Sequence, residues 1–266
     1  MFKKLITYTI SALFVMSVFT SCSEFQKLLK STDYELKYNK AVEYYNEKDY
    51  FRAQSLFTEL LNIYKGTNKA EEIYFYYAYC YYGEQDYIMA GYYFKNYVLT
   101  YPNGIHKEEC SYMAAYCYYL NSPIPSLDQA YTEKAIEELQ LFINKYPSSE
   151  RIKLCNEHID KLRYKLETKS FNNAKLYYEL GNYKAAIASL KSSLFEFPDS
   201  DYREDLLFLV LKSSYLLAEN SIDKKKEERY KSALTEYHAL VDEYPETQYK
   251  KEAERIFEAS KKRINS

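Results

Sequence analysis

Residues Ile73–Tyr82 read IYFYYAYCYY, and Ser111–Tyr119 answer them as SYMAAYCYY. Ala78 pairs with Ala115, Cys80 with Cys117 and Tyr81-Tyr82 with Tyr118-Tyr119, each at a separation of 37 residues. Self-similarity at such a period marks stacked copies of one supersecondary unit, because no single copy can bury its apolar face alone. Composition narrows that unit to helices. The 266 residues include only five glycines and six prolines against 34 tyrosines. Ala, Leu, Lys and Glu, the other common residues, favour helix, so an all-α chain with few turns is expected. Its length allows one or two ordinary domains. The net charge is −2 with both signs interspersed, which leaves no basic face for nucleic acid.

The first 22 residues stand apart. Lys3 and Lys4 precede an apolar run, Leu5–Phe19, which has the length of a signal-peptide core and falls short of the ~20 residues needed to cross a bilayer. Thr20-Ser21-Cys22 follows, small residues leading into the first cysteine, and this resembles a bacterial lipoprotein signal. Phe19 stands where that pattern usually has Leu, and Ser21 where Gly or Ala is commoner. The resemblance implies a signal peptide over 1–21, acylation of Cys22 as the mature N-terminus, and a lipidated tether over 22–33 that holds the body on a membrane. A cleaved secretory signal with an incidental cysteine, or an uncleaved anchor, stays open. Loss of Lys3 and Lys4 with the signal lowers the net charge to −4. Ser23-Glu24-Phe25-Gln26-Lys27 lacks the acidic run of a surface-export tag, which favours a periplasm-facing leaflet. Cys80, Cys110, Cys117 and Cys155 fall in predicted helices among apolar neighbours with no Cys-x-x-Cys, and read as small buried hydrophobes.

Tetratricopeptide repeats are helix-turn-helix units of ~34 residues, with small residues near positions 8 and 20, a large one at 24 and proline at 32. Ala41, Ala53 and Phe57 fit a first copy; Ala78, Ala90, Phe94 and Pro102 a second; Ala174, Ala186, Leu190 and Pro198 a fourth. The third and fifth keep their second halves as Ala135, Leu139, Pro147 and Ala233, Tyr237, Pro245, with insertions between their helices. Small residues let two helices approach, the large one fills the gap, and proline stops the second helix. The expected architecture is therefore a solenoid of about five helix pairs, repeats 1–3 over 34–147 and repeats 4–5 with a cap over 148–266. Residues 121–129 hold the other two prolines and read as an ordered loop protruding from one edge; lysine-rich 221–228 read as a solvated loop. Between Ser148 and Leu180 there is neither Pro nor Gly, and apolar residues recur at Ile152, Cys155, Ile159, Leu162 and Leu166. One connecting helix of about 30 residues, roughly 45 Å, is expected there. A charged amphipathic helix over 248–264 is expected to cap the stack.

In such stacks the first helices line a groove through positions 5, 9 and 12, while 4, 7, 8 and 11 pack inward. Position 5 is Tyr38, Phe75 and Tyr112; position 9 is Val42, Tyr79 and Tyr116; position 12 is Tyr45, Tyr82 and Tyr119. Eight of these nine places are aromatic, and residues at i, i+4 and i+7 share a helix face. Position 11, expected in the core, is Tyr44, Tyr81, Tyr118 and Tyr177. The groove set reads either as further core or as a trough for an extended peptide with apolar or aromatic side chains, its phenols free to bond the peptide backbone. In repeat four the face changes to Phe171, Lys175 and Tyr178.

No catalytic residue or cofactor is expected. His106 with Cys110 and His158 with Cys155 have helical spacing, but two ligands without a third make no metal site. Metalloprotease helix, nucleophile elbow and phosphate loop motifs are missing from the sequence. Glu71-Glu72 and Glu108-Glu109 sit at helix starts, where the dipole favours negative charge.

The lipoprotein-like start, five repeats and Ser122-Pro123-Ile124-Pro125-Ser126-Leu127-Asp128-Gln129, followed by Thr132 and Ala135, together resemble the BamD family of outer-membrane assembly lipoproteins. The resemblance covers essentially the mature chain. It implies a periplasm-facing, lipid-anchored subunit of the β-barrel assembly machine at the outer membrane. Its C-terminal repeats would dock a BamA-like barrel protein, and its N-terminal repeats would receive the C-terminal segments of unfolded outer-membrane proteins, extended strands ending in an aromatic residue. Another periplasmic tetratricopeptide lipoprotein, scaffolding cell-wall or division proteins, is the alternative. A glycan-binding surface lipoprotein is disfavoured by the absence of tryptophan.

Overall fold

The computed structural model describes residues 24–265, so Cys22 and the apolar run before it lie outside the described residues. All regular structure among them is helical. A short helix, α1, covers residues 24–30. It is followed by α2 (Tyr34–Asn46), α3 (Tyr50–Ile63), α4 (Asn68–Gly83), α5 (Tyr87–Thr100), α6 (Lys107–Asn121), α7 (Ala130–Lys145), α8 (Ile152–Glu179), α9 (Tyr183–Glu196), α10 (Arg203–Glu219), α11 (Asp223–Glu243) and α12 (Lys250–Ile264). From α2 to α11 these form five pairs, with α12 after them. The fold is a tetratricopeptide-repeat solenoid. No described helix is long and apolar enough to cross a membrane.

The repeat phase read from the sequence is the packing phase. Ala41, Ala53, Ala78, Ala90, Ala174 and Ala186 are all fully buried, as are Phe57, Phe94 and Leu190. The turn within the first, second and fourth pairs is set at one repeat position, where Lys48, Gln85 and Gly181 all take left-handed backbone with φ of 64°, 63° and 73°. Only the last is a glycine; the other two hold a conformation that costs an L-residue roughly 1–2 kcal/mol. Asp49 and Asp86 then cap the second helices by accepting from the Arg52 and Met89 amides.

Two compact units divide the chain. One runs to Asn121 and takes in Glu137–Ile152; the other joins Ser122–Ile136 to everything from Lys153 onward. This partition follows compactness, whereas a boundary after Pro147 follows repeat phase, so they divide the chain differently. In the first unit Ala41, Ala53, Leu56, Phe57, Leu60, Ile73 and Cys80 form a continuous core. In the second, one cluster centres on Ala174, Leu190, Leu206 and Val210, and another on Leu211, Leu240, Ala253 and Ile256. Cys80, Cys110, Cys117 and Cys155 are all buried.

Four local readings change. Residues 24–30, read within the tether, fold as α1 against the first repeat: Phe25 is buried, edge-on to Tyr44 at 5.8 Å, with the Arg52 guanidinium 5.6 Å above its ring. Residues 223–228, read as a solvated loop, are the first turns of α11. They contain neither Gly nor Pro, and Lys and Glu propagate a helix well, aided by the Asp223–Lys226 and Glu227–Lys231 pairs. The 122–129 loop is ordered but not simply protruding. Buried Gln129 donates to the Ile124 and Leu127 carbonyls, and Lys165 and Lys169 of α8 reach Ser122 and the Leu127 carbonyl. At position 11, Tyr177 is exposed rather than core. Tyr81 stacks on Tyr93 of the paired helix at 5.0 Å, and the residue at the repeat position of Tyr93 in α9 is Ser189, too small to cover a ring.

Candidate binding trough on the first helices

The candidate residues lie on α2, α4 and α6 of the first unit, and the structure sorts them by position. Tyr45, Tyr79, Tyr82, Tyr116 and Tyr119 are half-buried, with ring contacts within α4 and within α6. Tyr79 meets Phe75 at 4.8 Å, Phe94 at 4.9 Å and Tyr82 at 6.1 Å, while Tyr116 stacks on Tyr119 at 5.6 Å. Tyr45 lies edge-on to Tyr76 at 4.9 Å. Burial, then the charge of nearby Tyr50, pushes the Tyr45 phenol up to about 12. Burial likewise raises Tyr82 and Tyr116. These five keep part of each ring at the surface.

Position 5 behaves differently. Lys69 lies over the Tyr38 ring at 4.0 Å, His106 stacks on Phe75 at 3.9 Å, and Arg151 lies over Tyr112 at 4.9 Å. Each cover enters from the start of the next first helix, so these rings join one repeat to the next. Tyr112 is in fact buried, edge-on to Phe142 at 5.7 Å and stacked on Tyr116. Tyr38 and Phe75 stay half-buried. Of the position-5 rings only Tyr112 is thus buried; Tyr38 and Phe75 fall in the same half-buried range as the tyrosines at positions 9 and 12, each with a cationic or imidazole side chain against one face.

The phenols are not all free donors either. Tyr79 donates to Glu109, and burial together with that bond raises its pKa well beyond the ordinary range. Burial and a bond to Glu72 do the same for Tyr38. Glu35, Glu72 and Glu109 recur at 37-residue spacing, a signal present in the sequence, though the helix-dipole account there absorbs Glu72 and Glu109 and leaves Glu35 aside. Neighbouring Glu71 serves a separate purpose, accepting from the Tyr97 hydroxyl at 2.6 Å and the Ile105 amide at 2.9 Å and so fixing the loop into α6. Sequence reasoning also missed fully buried Lys37, whose ammonium donates to Glu59 at 2.6 Å and to the Leu29 carbonyl at 2.9 Å, joining α1, α2 and α3.

His106 is occupied in ring stacking, and among the described residues no group of three or more His, Cys, Asp or Glu side chains could hold a metal ion. Stacked helix pairs presenting half-buried aromatics on their first helices define a repeat protein of the protein-binding kind. Residues 31–230 match the YfiO family, described as outer membrane lipoproteins, and the chain belongs to it; this is the BamD family. No curated protein matches the sequence. Among solved structures it is similar to the TPR2AB domain of yeast Sti1 in its pHSP90 complex, at 11% identity and a TM-score of 0.40 over 86% of this chain and 98% of that one. It is also similar to the P58(IPK) TPR domain, at 14% identity and a TM-score of 0.39 over 94% and 68%.

Proposed function

We propose that the chain is a non-catalytic scaffold subunit of the β-barrel assembly machine, lipid-anchored through Cys22 to the outer membrane and facing the periplasm. Its first-unit repeats receive extended C-terminal segments of unfolded outer-membrane proteins, and its C-terminal repeats dock a BamA-like barrel protein. Membership of an outer membrane lipoprotein family supports the setting. The observation that carries the binding role is the run of half-buried rings Tyr45, Tyr79, Tyr82, Tyr116 and Tyr119 on successive first helices. An extended strand presents alternate side chains to such a surface, where aromatic faces supply apolar area at low entropic cost. With the Tyr79 proton committed to Glu109, its oxygen still has lone pairs to accept a peptide N–H.

Two measurements test the proposal. A BamA-like protein should co-purify with the chain from detergent-solubilised membranes; recovery of cell-wall enzymes without it overturns the assembly role. Tyr79→Ala combined with Tyr116→Ala should weaken binding of a C-terminal barrel peptide by about tenfold or more, as for truncation of central aromatic anchors. Tyr81→Ala, which removes the stack on Tyr93, should lower the melting temperature and leave affinity in place. Unchanged peptide binding in the double variant would falsify the trough.

A further inference from the structure

The edge of the first unit formed by the turns within its helix pairs carries apolar side chains that the protein leaves uncovered. Phe51 is 68% exposed and Ile88 59% exposed. They lie 37 residues apart, at the same repeat position in the first turn of α3 and of α5. Later repeats place Glu133, Lys184 and Lys231 there. The apolar choice is therefore confined to the two repeats nearest the N-terminus.

The start of α1 points to what covers this edge. Phe25 packs on Tyr44 near the end of α2, and the Leu29 carbonyl meets Lys37 near its start, so α1 runs antiparallel to α2 with its first turn beside the α2–α3 turn. Arg52, next to Phe51, lies over the Phe25 ring. Glu24 is two residues beyond Cys22 in sequence, a reach of at most about 7 Å. A lipid on Cys22 would thus bring a bilayer to the edge that exposes Phe51 and Ile88.

We propose that this edge rests on the membrane surface, with Phe51 and Ile88 entering the interface as a second anchor beside the lipid. The inference rests on the reading that Cys22 is acylated. Aromatic and aliphatic side chains at headgroup depth add binding to that of acyl chains, which hold in proportion to buried CH₂ groups. Charge selects the lipid. Glu47, Asp49, Glu84 and Asp86 surround the two residues, against Lys48 and Arg52 on the same turns, with Glu24 and Lys27 of α1 balancing one another. Burial, then Asp86 and Asp49, raises the Glu84 pKa, in keeping with a locally negative edge. An ammonium-bearing zwitterionic headgroup complements this collar, and an anionic one is repelled by it.

The chain contains no tryptophan, so Phe51→Trp or Ile88→Trp supplies a lone reporter at an exposed site. The full mature lipoprotein carrying either change is reconstituted into vesicles of brominated phosphatidylethanolamine and phosphatidylcholine. Leu99→Trp, 72% exposed near the opposite end of α5, serves as control. Expected are a blue shift and loss of emission for the first two variants, none for the control, and weaker quenching in phosphatidylglycerol vesicles. Protein that incorporates labelled fatty acid yet shows unquenched emission at both edge positions overturns this inference alone. Protein that incorporates no fatty acid removes the anchor reading and this one with it. Stronger quenching in phosphatidylglycerol overturns the assignment to a zwitterionic surface.

Discussion

The two units join successive repeats in the same place and with different chemistry. In the first, rings Tyr38, Phe75 and Tyr112 are covered by Lys69, His106 and Arg151. In the second, the covers are tyrosines: Tyr202 stacks on Phe171 at 4.5 Å, and Tyr249 on Phe208 at 4.0 Å with the planes 3° apart. Ring upon ring is apolar burial, indifferent to salt. A cation over a half-buried ring, as Lys69 lies over Tyr38, contributes less, about 0.5–1 kcal/mol, whereas Phe75 stacks under an imidazole and Tyr112 is buried beneath Arg151. The first unit thus joins its repeats through charged or imidazole covers, and the second through tyrosine rings.

The largest consequence is expected at alkaline pH. Burial is the first cause of the raised Tyr45 phenol in the first unit, at about 12, and of Tyr230 and Tyr249 in the second, also at about 12. In the first unit Tyr74 is likewise lifted to about 12, and Tyr79, Tyr81 and Tyr97 are raised further. A phenol whose folded pKa lies above its ordinary 10 favours folding fully below pH 10. That contribution is lost as pH rises from 10 through about 12, because the unfolded chain releases the proton more readily. The first unit holds more such phenols and should open first. Thiol labelling with mass spectrometry reads this directly: Cys80, Cys110 and Cys117 should become reactive at lower pH than Cys155, all four being buried at neutrality. Simultaneous exposure would erase the difference between the units.

Ring deletion comes next in size. Phe208 is buried between its stack with Tyr249 and the α10–α12 core, so Phe208→Ala should cost about 3–5 kcal/mol. Phe75 is half-buried beneath His106, and Phe75→Ala should cost about half as much, since less apolar surface returns to water. Urea unfolding of each variant, with amide exchange on α4 and α10 to localise the loss, measures both. Equal losses would show that an imidazole covers a ring as effectively as a phenol.

How far the sequence reveals this arrangement depends on the range over which each feature is encoded. Alanines at positions 8 and 20 carry the helix-pair geometry within a dozen residues, and those of repeats one, two and four are all fully buried. The long helix is equally visible: α8 spans 28 residues because nothing in it breaks a helix. The docking of α1 is not, since its seven residues carry no repeat and Phe25 finds Tyr44 and Arg52 only in three dimensions. At position 5 the burial of Tyr112 escapes the sequence for a similar reason. Its exposure is decided by whatever stands at the next helix start, at least 31 residues on, and repeat position alone does not encode that partner. The Glu72 and Glu109 acceptors are present at the right period, yet a helix start explains an acidic residue without a tyrosine partner.

The smallest effect is also the most diagnostic. Lys69 lies 4.0 Å above Tyr38 and 5.1 Å above Tyr64 while pairing with Glu35, which is largely exposed. Lys69→Met keeps the aliphatic stem on the ring and removes the charge, so it should cost about 0.5–1 kcal/mol at low salt. Part of that cost should vanish in about 1 M salt, where the exposed ion pair is screened and only the desolvated contact with the ring remains. Lys69→Tyr installs the kind of cover used in the second unit. It should restore stability to at least the Lys69→Met level and make it independent of salt, as apolar stacking is. If Lys69→Tyr instead falls below the unsubstituted protein at low salt by as much as Lys69→Met does, charge rather than ring coverage holds the first joint closed. The two units would then differ in the force that joins their repeats, and not only in its strength.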